Sequence, residues 1–148
     1  MATISGRYIG ELRTEATHLA SGNTLLTDAP KDNQGRGEAF SPSDSVCAAL
    51  ASCMLTIMGI VASRHQISLD GTRFEVTKIM TAEPPRRIAE IKVEFTVPNP
   101  DLNEKDRELL KPGEACPLCG SEHHPYVQHQ YQNRVSQAEE KRQSDCHS

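Results

Sequence analysis

The clearest pattern in the chain is a period-two alternation near its middle. Ile91, Val93, Phe95 and Val97 alternate with Lys92, Glu94 and Thr96, as in a strand with one buried face. Arg73–Ala82 predicts a second strand, entered after a break at Asp70-Gly71, and Pro84-Pro85 marks the turn between the two. Nearer the N-terminus, Thr3–Thr17 reads as one extended stretch, with Tyr8, Ile9 and Leu12 among polar residues. The turn Ser21-Gly22-Asn23 leads to a short strand at Leu25-Leu26-Thr27, and residues 28–40 form a Gly/Asn/Asp/Pro-rich loop. Leu102–Lys111 reads as a short helix capped by Asn103.

The long element between these strands is SPSDSVCAALASCMLTIMGIVASRH. Ser41 is a good N-cap, Pro42 suits the first helical position, and Asp44 completes a capping box at the positive end of the helix. Residues 45–63 carry no charge, which meets the length criterion for a membrane span. The run is nevertheless full of Ala, Ser, Thr, Gly and Cys, and the flanking strands are amphipathic. A helix apolar all round is then better read as a central helix wrapped by sheet. Cys47 and Cys53 fall in this stretch and read as buried, with Cys47 on a different face from Cys53.

Length and charge narrow the function classes. With 148 residues, 36% hydrophobic and without Trp, the chain suits one ordinary domain with a modest core. A net charge of −4 provides no basic field for nucleic acid or an anionic membrane, so neither is expected as a partner. The start MATISGRYIGELR has no apolar h-region, and five cysteines are an odd number for a disulfide framework. A cytoplasmic location is the expectation. Composition shifts at Lys111-Pro112-Gly113: all three Phe precede it, and three of five Cys and four of six His follow. We therefore divide the chain into a folded body, 1–111, and a polar Cys/His-rich tail, 112–148, disordered or a short helix.

A cysteine inside an apolar helix is ordinarily inert, because burial disfavours its thiolate. Cys53 also lies too far from the helix start to use the dipole. A reactive Cys53 needs a nearby cation, and Asp44 could hold an arginine in place for it. Arg7, Arg13, Arg36, Arg64, Arg73, Arg86 and Arg87 are the candidates, and spacing does not choose among them. His18 and His65 are isolated and read as surface or packing residues.

The stretch TDAPKDNQGRGEAFSPSDSVCAALASCMLTIMG, continuing through Pro84-Pro85-Arg86-Arg87-Ile88 and Ile91–Val97, resembles the OsmC/Ohr superfamily. The specific part is an ordered series: a Gly-rich loop, S-P-x-D, then a nine-residue step to a Cys within an Ala-rich helix. The resemblance spans about residues 1–111. It implies an α+β fold in which antiparallel sheets wrap long central helices in an intertwined homodimer, with the active site at the dimer interface. It implies a thiol peroxidase that reduces organic hydroperoxides, is regenerated by a dithiol reductant and requires no cofactor. On this resemblance Cys53 is the peroxidatic cysteine and Cys116, in a Cys-Pro pair, the resolving one. Asp44 stands where the better-studied branch has Glu orienting an arginine, and Arg13 lies in the first-strand region of that arginine.

The tail departs from the family pattern. Pro112-Gly113 breaks the helix expected before the resolving cysteine, and no β-like apolar ending follows. An open sheet edge and lower stability than a full-length relative are the expectation. LKPGEACPLCGSEHHP resembles the zinc hook of SbcC-type DNA-repair ATPases, in which two thiolates of a CxxC turn meet two more from another hook. Cys116 and Cys119 could thus bind zinc with His123, His124 or a second chain. Val127, Tyr131, Val135 and Ala138 form a weak helical stripe, and Cys146 is a terminal thiol. Three functions stay open: a hydroperoxide reductase, a non-catalytic stress or binding protein of the same fold, and a zinc-linked interaction module.

Overall fold

The N-terminal sheet is built by a turn that the sequence conceals. The computed structural model describes residues 1–111 and, as backbone, the strand 129–135. Within Thr3–Thr17, read above as one extended stretch, the chain reverses. β1 (Ile4–Gly10) and β2 (Arg13–His18) form an antiparallel hairpin that pairs Tyr8 with Thr14 and Gly10 with Arg13. Glu11 and Leu12 occupy the turn with φ of 54° and 62°. Both lie in the left-handed region, as a two-residue primed turn demands and as its usual Asn-Gly sequence would signal. Three contacts hold it: the Tyr8 hydroxyl accepts the Leu12 N–H at 3.2 Å, the Ala29 N–H donates to the Leu12 carbonyl at 3.1 Å, and Arg36 pairs with Glu11 at 2.6 Å.

β3 (Thr24–Asp28) adds antiparallel to β2, matching Arg13 with Asp28 and Thr14 with Thr27. The loop beyond it contains a 3-10 turn at Lys31–Asn33 and folds back on Pro30 and Ala29 through the amides of Asn33, Gly35 and Gly37. Gly35 is required there, because a Cβ would sit 1.7 Å from the Ala29 carbonyl oxygen. Phe40 then bridges to Thr27. The chain divides into two units, 1–46 and from residue 47 onward. In the first, the buried residues are Thr27, Asp28 and Ser41, whereas Ile4, Tyr8, Leu25, Phe40 and Val46 are exposed.

α1 (Pro42–Arg64) begins as the sequence predicts. The Ser41 hydroxyl accepts the Asp44 N–H at 3.1 Å and the Asp44 carboxylate accepts the Ser41 N–H at 2.9 Å, a reciprocal capping box. By length and composition the helix could cross a membrane. Six of its residues, Cys47, Leu50, Ala51, Met54, Met58 and Ala62, are buried along one stripe.

Those residues meet β5 in the second unit. β4 (Arg73–Met80) and β5 (Ile88–Val97) are antiparallel, and the alternation seen in the sequence buries Ile91, Val93, Phe95 and Val97. With Leu102 and Leu110 they close the core around α1, where each large aliphatic or aromatic side chain contributes about 1.5–3 kcal/mol. Phe74 meets Phe95 edge to face, with ring centroids 6.4 Å apart. α2 (Glu104–Leu109) follows, capped reciprocally by Asn103 and Asp106.

β6 (His129–Val135) corrects two expectations. It pairs parallel to β5, setting Ile91 beside His129 and Val97 beside Val135. The sheet order is β4-β5-β6, so β5 is central and the open edge expected of a chain lacking its last strand is occupied. The reduced stability argued from that edge loses its basis. The segment also contradicts the helical stripe through Val127, Tyr131, Val135 and Ala138. Backbone pairing along a preformed strand overrides a four-residue apolar period, the weakest kind of helix signal.

Candidate active site

Cys53 occupies the middle of α1. The sequence places it in a buried stretch, but the structure leaves it half-buried, packed against the edge of the core. Helix geometry accounts for the difference. Cys53 stands seven residues from both Val46 and Ile60, nearly two turns each way, so the three share a stripe. Val46 and Ile60 are 54% and 44% exposed, and Ser52 and Thr56 beside them are exposed as well. Cys47 is buried, as expected of a core residue.

Arg13 lies immediately after the strained turn, and the β2–β3 register sets it opposite Asp28. Its side chain keeps 21% of its surface, whereas that of Asp28 keeps none. The guanidinium Nε is 3.8 Å from Asp28 Oδ2, and an Nη is 3.4 Å from Glu38 Oε2. Asp28 Oδ2 also accepts the Glu38 N–H at 2.9 Å, and the Asp28 N–H donates to the Phe40 carbonyl at 3.0 Å. One carboxylate therefore fixes both the arginine and the loop residue that reaches it. Arg13 Nε and Asp28 Oδ1 are buried without a hydrogen-bond partner among the described residues.

Asp44, the carboxylate expected to orient an arginine, accepts the Ser41 N–H at the start of α1. The carboxylates on Arg13 include Asp28 and Glu38, which sequence reasoning did not single out. The signal for Asp28 was its place at the end of LLTD, but its register with Arg13 emerges only once Glu11-Leu12 is recognised as a turn. A guanidinium held along two edges retains N–H donors for an anion or a peroxide oxygen. Cys116, Cys119, His123 and His124 lie outside the described residues. Among the described residues no group of three or more His, Cys, Asp or Glu is placed to hold a metal ion.

Comparison with known proteins fits this fold. The sequence model of the OsmC-like protein family matches residues 35–127, reaching into the tail that departs from the expected pattern. A Psychrobacter arcticus protein, provisionally named as an osmotic stress induced and detoxification response protein, is 44% identical. That match covers 90% of this chain and 96% of that one, with a TM-score of 0.82. The organic hydroperoxide resistance protein OsmC of Legionella pneumophila shares the fold at 20% identity, over 91% and 98% of the two chains, with a TM-score of 0.69. An organic hydroperoxide resistance protein of Elizabethkingia anophelis does so at 13% identity, over 91% and 97%, also at 0.69. No curated protein matches. Strands β1 to β5, the long central helix and this similarity together make the chain a member of the OsmC-like protein family, with its α+β fold.

Proposed function

We propose that the protein is a thiol peroxidase that reduces organic hydroperoxides through Cys53. The observation that carries this reading is the partly buried Cys53 in the middle of α1, in a fold shared with organic hydroperoxide resistance proteins. The Cys53 thiolate attacks the distal peroxide oxygen, and the O–O bond breaks. An alkoxide leaves and takes up a proton to become an alcohol, while the sulfur loses two electrons and becomes a sulfenic acid. Arg13 supplies the positive charge for the thiolate and the leaving oxygen. Cys116 condenses with the sulfenic acid, releasing water and forming a disulfide, which a dithiol reductant reopens. Apolar surface beside the sulfur favours alkyl hydroperoxides over hydrogen peroxide.

The working unit in this reading is a homodimer, because the exposed aliphatics of α1 and of the N-terminal sheet need a covering surface. Intact mass after one equivalent of cumene hydroperoxide tests the chemistry. A gain of one oxygen, or a loss of two hydrogens for a disulfide, is expected in the parent and absent in Cys53→Ser. Equal consumption of hydroperoxide by Cys53→Ser overturns the reading.

A further inference from the structure

We draw no further inference here: the strongest candidate, the cleft of the second unit lined by His65, Asp70, Asp101 and Asp106, is an acidic cluster with no second feature among the described residues that points to a ligand.

Discussion

Arg13 and Asp28 face each other across β2 and β3, with Nε 3.8 Å from a carboxylate that has no exposed surface. Removing one partner of such a pair leaves the other charge desolvated, which costs about 3–5 kcal/mol when both are buried. Arg13 keeps 21% of its side-chain surface, so water relieves part of that cost. Asp28→Ala is expected to lose about 2–3 kcal/mol, lowering the melting temperature by roughly 5–10 °C. Asp28→Asn retains an acceptor for the Glu38 N–H and should lose about half as much. Thermal melts followed by circular dichroism read both. An Asp28→Ala protein that melts with the parent would show that the pair adds nothing to the fold.

The start of α1 makes an independent prediction. Ser41 and Asp44 satisfy each other's backbone N–H groups at 3.1 and 2.9 Å. Ser41→Ala removes an acceptor from a buried position and is expected to cost about 1 kcal/mol. Asp44→Ala should cost about the same, by losing the return bond and the favourable charge at the helix start. Because each bond orders the other, the double variant should cost less than the sum. Urea denaturation of the four proteins measures the coupling, and strict additivity would mean that the two bonds act separately.

The elements that the sequence revealed are those whose signal is local. Residues Ser41, Pro42 and Asp44 declare a helix start by chemistry, and Ile91 to Val97 declare a strand by alternation, so both came out where expected. Asn103 did the same for α2. What stayed hidden depends on long-range pairing. Gly10-Glu11-Leu12-Arg13 contains no Asn-Gly or Asp-Gly, and tertiary contacts from Tyr8, Ala29 and Arg36 impose its turn. β6 is almost wholly polar and exists through its pairing with β5. Within the candidate site, Cys53 stood out by its place in an uncharged helix. Its half-exposure did not, because all faces of α1 are similarly apolar and only packing decides which is covered.

The imposed turn should be improvable. Leu12 and Glu11 sit at positive φ, which costs a residue with a Cβ roughly 1 kcal/mol or more. Replacing Glu11-Leu12 by Asn-Gly supplies residues suited to that backbone. The change forfeits the Glu11–Arg36 pair, 63% and 51% exposed, which as a surface ion pair contributes at most about 1 kcal/mol. The double variant is expected to gain about 1 kcal/mol in urea denaturation, net of the added backbone freedom of Gly. Destabilisation would show that the lost Glu11–Arg36 pair and the added freedom of Gly outweigh the relief of the two positive φ angles.

Ile60 tests the homodimer. It shares a stripe of α1 with Cys53 and Val46 and is 44% exposed in one chain. If a second copy covers that stripe, two-fold symmetry places Ile60 in the interface twice. Each burial contributes about 1.5–3 kcal/mol, so truncating both weakens association by about 3–6 kcal/mol, some two to four powers of ten in Kd. A charge at the same position adds a desolvation penalty. Ile60→Glu is therefore expected to sediment as a monomer at micromolar concentration, where the parent sediments as a dimer. Ile60→Leu, which conserves volume and polarity, should remain dimeric. A parent that sediments as a monomer, or an Ile60→Glu protein as tightly dimeric as the parent, would mean that this stripe is not where two copies meet.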